Sequence, residues 1–207
     1  MLIREWDKPL DDDEWRRFVR SNAFGHLVAA GSNRSIPVVV PTQFVLLEDE
    51  VVLHLARPNP IWSAIDENEN VVLSVAGDWA YVPSAWKAIG DEDPLLGVPT
   101  TYYAAVQLIG AARIVDDPHG IAAVLRTQLS DLQPDIETVD PSEHGPRLRA
   151  IRGIRIEVRE VLAKFKFGSN VDEEHRIAVR ERLEQRNAPG DRAAAAHVTQ
   201  RLTRSRS

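Results

Sequence analysis

Apolar positions in this chain recur mostly at every second residue, the spacing of half-buried strands, and only in a few stretches at every third or fourth. Asp11, Asp12 or Asp13 can cap a helix whose apolar face is Trp15, Phe18 and Val19, closing near Asn22. FGHLVAAG (24–31), IPVVVPTQFVLL (36–47) and VVLHLA (51–56) predict three strands in an antiparallel meander. Turn residues Gly31-Ser32-Asn33 and Glu48-Asp49-Glu50 separate them. Pro37 and Pro41 lack N–H donors, which puts the middle strand at a sheet edge or bends it. NPIWSAIDEN (59–68) predicts a short helix with Pro60 in its first turn. Strand patterns follow at 70–77, 79–82 and 102–117, the last with Gly110 as a candidate bulge. Residues 118–133 predict a helix with an apolar stripe at Ile121, Val124, Leu125, Leu129 and Leu132.

The stretch after 150 changes phase. Ile154, Ile156 and Val158 alternate with charged residues, and then Val161, Ala163, Phe165 and Phe167 carry the apolar pattern on odd numbers. A one-residue slip in a period of two needs a bulge or break, placed near Arg159-Glu160. Residues 172–187 predict a charged helix with a narrow stripe at Ile177, Val179 and Leu183. The Pro/Gly, Ala-rich and Arg/Ser-rich remainder predicts a poorly ordered tail. The expected organisation is a barrel domain over 1–170, a charged helix over 171–187 and the tail over 188–207. Many strands with few helices between them argue for a mainly β, α+β architecture rather than a doubly wound sheet.

Composition narrows the function classes. The chain has 207 residues and 43% apolar content, enough for a core. It has no cysteine, which excludes disulfides, thiolate metal sites and cysteine nucleophiles, and makes a reducing cytoplasm the expected compartment. The charged opening MLIREWDKPLDDDEW does not read as a signal peptide, and no apolar run is long enough to span a bilayer. A net charge of −6 disfavours a broad DNA-binding face, although Arg192, Arg201, Arg204 and Arg206 make the tail locally basic. No phosphate loop, GxGxxG, HExxH or GxSxG pattern is present, so no side chain stands out as catalytic.

Three segments carry candidate chemistry. HLARPNP (54–60) sets Arg57 before a helix start at Asn59-Pro60, a combination that suits a phosphate or carboxylate; a solvated turn capped by Asn59 is the plainer alternative. His54 in that segment is a core or rim histidine, or an iron ligand if the protein binds haem. AYVPSAW (80–86) and VPTTYY (98–103) bracket a long proline-rich loop and gather aromatics and hydroxyls that could hold a planar ring. KFKFGSN (164–170) places Lys164 and Lys166 on one strand face, suited to a phosphate or propionate, or simply solvated.

As a set and in this order, these segments resemble the PaiB family, described as FMN-binding negative transcriptional regulators. HLARPNP with Trp62, AYVPSAW, VPTTYY, and KFKFGSN followed by EEHRIAV each resemble a family stretch, and FVRSNAFGHLV (18–28) fits its opening helix and strand. The resemblance implies an antiparallel split β-barrel with peripheral helices, distantly like pyridoxamine-phosphate oxidases. It implies a homodimer with FMN in a cleft between subunits. Arg57, Thr100, Tyr103, Lys164 and Lys166 match positions of its motifs, and with His54 and Asn59 they are the expected cofactor-binding residues. It leaves three functions open: a flavin-dependent oxidoreductase, a flavin-responsive transcriptional regulator, or a haem b enzyme like the piperazate synthases with His54 on iron. The chain departs from the pattern at Val39, Thr101, Tyr102, Gly168 and Ser169.

Overall fold

A computed structural model of the protein describes residues 1–88 and 92–204. Among the described residues, five α-helices and seven strands follow in the order α1 (Asp12–Ser21), β1 (Phe24–Ala29), β2 (Val38–Gln43), β3 (Val45–Leu46), β4 (Glu50–Ala56), α2 (Ile61–Glu67), β5 (Asn70–Val82), β6 (Thr100–Val115), α3 (Pro118–Leu132), β7 (Ile151–Lys166), α4 (Glu173–Arg186) and α5 (Asp191–Arg204). The strands make one antiparallel sheet in the order β2-β1-β5-β6-β7-β4-β3. The expected mainly β, α+β architecture is therefore present.

The chain divides into two compact units. One comprises Met1–Trp15, Ala76–Val106 and Ala163–Ser207; the other comprises Arg16–Val75 and Gln107–Leu162. Below these are the first and the second unit. Strands β1 to β4 belong wholly to the second, whereas β5, β6 and β7 contribute residues to both.

In the second unit the core follows from cross-strand pairing. Leu27 faces Leu73 and Ala29 faces Val71 between β1 and β5, while Val51 faces Ile156 and Leu53 faces Ile154 between β4 and β7. All eight side chains are buried. Opposed branched apolar residues of this kind are the unit of sheet stabilisation. Gly110 is required on β6, because a Cβ there would lie 2.0 Å from the carbonyl oxygen of Glu157. The burial alternation of β6 also breaks at that point, where Gly110, Ala111 and Ala112 are buried in succession.

The meander expected for 24–56 is not what forms. The 36–47 segment divides at Phe44: β2 pairs with β1, and β3 pairs with β4 at the far end of the sheet order. The reason lies in burial. Phe44, Val45 and Leu46 are all buried, and an unbroken strand would turn one of three successive side chains outward. The expected edge position of the Pro41 segment holds, since β2 ends the sheet order.

The first unit contains the largest departure. Residues 191–204 form a helix where a disordered tail was expected, and residues 205–207, including Arg206, lie outside the described residues. Ala194, Ala195, Val198 and Leu202 bury a helical stripe. The α4–α5 turn is built by Asn187, left-handed at φ 48°, and by Asp191, which accepts from Ala188 N at 2.8 Å and pairs with Arg186. Asn tolerates that conformation better than most residues. Arg201 is not a solvated tail residue: it is 3% exposed and donates to Glu14 Oε1 at 3.0 Å.

Candidate functional site

The seven candidate residues fall into two groups. His54, Arg57 and Asn59 belong to the second unit; Thr100, Tyr103, Lys164 and Lys166 belong to the first.

In the second unit, β4 leads directly into the turn before α2, and this turn is locked by its own side chains. Arg57 Nε donates to the Arg149 carbonyl at 2.7 Å, and Nη2 reaches Asp116 at 2.6 Å. Asp116 also meets Arg152 at 2.8 Å, and Arg57 leads the two arginines in holding its carboxyl below the usual range. Asn59 Oδ1 accepts from Ile61 N at 3.0 Å, so its amide caps the helix start. Trp62 Nε1 donates to the Ala56 carbonyl at 3.1 Å. Arg57 is thus committed to protein partners on the turn.

His54 has a different setting. It stands opposite Gly153 on β7, where a Cβ would come within 2.9 Å of Val124 on α3. That missing side chain lets α3 approach, and one turn further along it Gln128 Oε1 lies 2.6 Å from His54 Nδ1. An amide oxygen only accepts, so Nδ1 is the donor in this contact. Beside this pair is a cavity of about 790 Å³ lined by Phe24, Leu125, Leu129 and Leu132 together with Thr42 and Gln43. Gln128 was missed as a functional residue. Its signal was a polar residue at the position that completes the 121/125/128/132 spacing of the helix stripe.

The first unit gathers its four candidates. Lys166 Nζ donates to Thr100 Oγ1 at 2.7 Å, and the ammonium groups of Lys164 and Lys166 lie 5.8 and 6.0 Å from the centre of the Tyr103 ring. The alternation of β7 puts Lys164 and Lys166 on one face, and these two and the β6 residues Thr100 and Tyr103 are all half-buried on neighbouring strands. The two lysines differ in charge balance. Lys164 donates to the Leu2 carbonyl at 2.9 Å and sits 3.6 Å from the buried Asp7. Among the described residues Lys166 has no carboxylate partner.

A further cation joins them. Lys87 Nζ lies 3.2 Å from His175 Nε2, and burial followed by the charge of Lys166 pushes its pKa below the ordinary lysine value. Burial and then Lys87 push His175 down as well. Lys87 lies in the loop after AYVPSAW, where nothing periodic marks a single lysine. Residues 89–91 of that loop lie outside the described residues. Tyr102 points into the core, with its hydroxyl unpartnered among the described residues and its pKa pushed up by burial to about 12.

Cation, hydroxyl and aromatic ring together are the recognition chemistry of an anionic group on a flat molecule. Residues 1–160 match the family described as "Putative FMN-binding domain", and the chain belongs to it. FMN is the cofactor that this family assigns. The chain is 25% identical to Protease synthase and sporulation protein PAI 2 of Bacillus subtilis (strain 168), across 98% of both chains. Two solved structures share the fold. The flavocytochrome Anf3 of Azotobacter vinelandii has a TM-score of 0.61 at 20% identity, over 85% of this chain and 78% of its own. An FAD and haem binding protein of Mycobacterium smegmatis has a TM-score of 0.61 at 15% identity, over 82% and 78%. The fold is the split barrel that the resemblance implied. Among the described residues no helix is long and apolar enough to cross a membrane.

Proposed function

We propose that this protein is a flavin-dependent oxidoreductase that binds FMN as a homodimer. The observation that carries this reading is Lys166: a half-buried cation held by Thr100, with no carboxylate partner among the described residues, close enough to Lys87 to depress it. Two cations set against each other in a desolvated place suit a phosphate. Lys166, Lys87 and the Thr100 hydroxyl would hold that group, and the Tyr103 ring would flank it. Bound FMN supplies the hydride or electron chemistry, while the chain binds, orients and limits water access. This division accounts for the absence of a catalytic motif from the sequence. Dimerisation is supported by large apolar side chains left exposed on strands, Trp79 and Tyr81 on β5 and Val39 on β2.

The test is the absorption spectrum of the freshly purified protein. A flavin band, with affinity for added FMN that falls at least tenfold in Lys166→Ala, is the expected result. A colourless protein with no flavin affinity would overturn the proposal. The regulator alternative is tested by mobility shift, and salt-resistant, sequence-specific DNA binding would favour it.

A second reading is favoured by one specific observation, the hydrogen bond between His54 Nδ1 and Gln128. Metal-ligating histidines commonly donate the second ring nitrogen to a carbonyl, which fixes the tautomer and raises the basicity of the other. The cavity beside His54, with Phe24 and three leucines among its walls, suits a large flat group, so a haem b held by His54 fits these residues. Haem would supply iron redox chemistry. A Soret band after haem supply, lost in His54→Ala and weakened in Gln128→Leu, supports this reading; no band removes it.

A further inference from the structure

The first unit also holds a pocket of about 400 Å³ that shares no residue with the Lys166 cluster. Its walls include four cations: Lys8, Arg176, Arg201 and Arg204. Two of these are neutralised, because Lys8 pairs with Glu5 at 2.9 Å and Arg201 pairs with Glu14 at 3.0 Å. The other two are not paired with a carboxylate among the described residues. Arg176 is the telling one. It is only 8% exposed, its Nε makes a long contact of 3.4 Å to the Asp172 carbonyl, and its terminal nitrogens meet no acceptor among the described residues. A largely buried guanidinium whose open terminal donors line a pocket suits an anion, because those N–H groups can meet its oxygens directly. The rest of the wall is suited to a ring. Trp6 stands half-exposed at the rim beside Pro9 and Leu10, and Ser169 offers a hydroxyl.

We infer that this pocket is a second ligand site, for a phosphate monoester carried on a small planar ring. Arg176 and Arg204 match the two charges of the phosphate, and Trp6 packs on the ring. Arginine suits this work because its planar fork meets two phosphate oxygens at once.

The test is calorimetric titration of the full-length protein with phenyl phosphate and, separately, inorganic phosphate, at constant ionic strength and with excess FMN throughout. Phenyl phosphate is expected to bind saturably, one per chain, and inorganic phosphate more weakly. Arg204→Gln, at an exposed position that does not threaten folding, and Arg176→Gln should each weaken phenyl phosphate about tenfold. Trp6→Ala should weaken phenyl phosphate and leave inorganic phosphate unchanged, and Lys166→Ala should leave both unchanged. The inference is overturned by the absence of saturable binding in excess FMN, by affinity undiminished in both arginine variants, or by binding that disappears with Lys166.

Discussion

Arg57 and Lys166 both came forward as cations for a cofactor anion, and their surroundings treat them in opposite ways. In the second unit Arg57 is closed off by Asp116 and by the Arg149 and Ile151 carbonyls. In the first, Lys166 has one hydroxyl and the repulsion of Lys87. A cation already matched by a carboxylate stabilises a turn; one left without a counter-charge is available to a ligand. Position after a strand, which both share, does not distinguish them.

Several substitutions probe this difference. The largest effect is expected where a matched charge is unmatched in the interior. Glu14→Ala removes the carboxylate to which the buried Arg201 donates and should lower stability by about 3–5 kcal/mol in urea denaturation. A loss below about 1 kcal/mol would mean that Arg201 finds water on its own. Next comes Lys166→Ala, which should reduce FMN affinity at least tenfold, by fluorescence titration, while stability holds or rises as Lys87 is relieved. Arg57→Ala is the counterpart. Because its ion pair is more than a third exposed and screened by solvent, it should cost under about 1 kcal/mol and leave FMN affinity within about twofold. Equal losses of FMN affinity in Arg57→Ala and Lys166→Ala would erase the contrast.

The smallest effect concerns His197. Its ring stacks on Phe167 with centroids 4.3 Å apart, and Nε2 lies 2.8 Å from Asp78. Nδ1 sits 3.7 Å from Glu14, too long for a hydrogen bond but close enough for charge attraction. Burial lowers its pKa, but the two carboxylates outweigh burial and the net shift is upward from 6.5. Arg201, the cation nearby, opposes them. A raised folded-state pKa gives stability that is complete below the unfolded value near 6.5 and is lost as pH rises through the folded value. Glu14 is shifted down: burial raises it, but the His197 contact and Arg201 together prevail, so it stays ionised across this window. Denaturation midpoints should therefore fall on moving from below 6.5 to mildly alkaline pH, and His197→Gln should flatten that fall. An unchanged pH profile in His197→Gln would assign the dependence elsewhere.

Much of this was legible in the chain wherever one periodicity ran undisturbed. The change of phase after Ile156 reappears as burial, with Ile154 and Ile156 buried before the slip and Ala163 and Phe165 after it, whereas the α3 stripe does so only in part: Ile121 and Val124 are buried, Leu125 and Leu129 half-buried and Leu132 exposed. What escaped depended on non-local partners. The division at Phe44 is decided by which neighbour each half pairs with, and a continuous β-branched run conceals it. The α5 helix escaped because small alanines give a weak hydrophobic signal, although they are the best helix formers. Lys87 and Gln128 acquire meaning only from Lys166 and His54, which are distant in sequence. Compositional reading detects residue types; whether a charge is already answered by another is visible only in three dimensions.

The change of parity in β7 carries a further implication for how this chain can vary. A strand whose inward residues are even-numbered in one half and odd-numbered in the other tolerates no single-residue deletion between Glu157 and Leu162. Such a deletion changes the spacing between Ile154 and Ala163 from odd to even, so the pairing that now buries both halves would have to be rebuilt across the segment. Length changes are expected instead in the connections, and a library of one-residue deletions scored for soluble expression should show a gap across this segment.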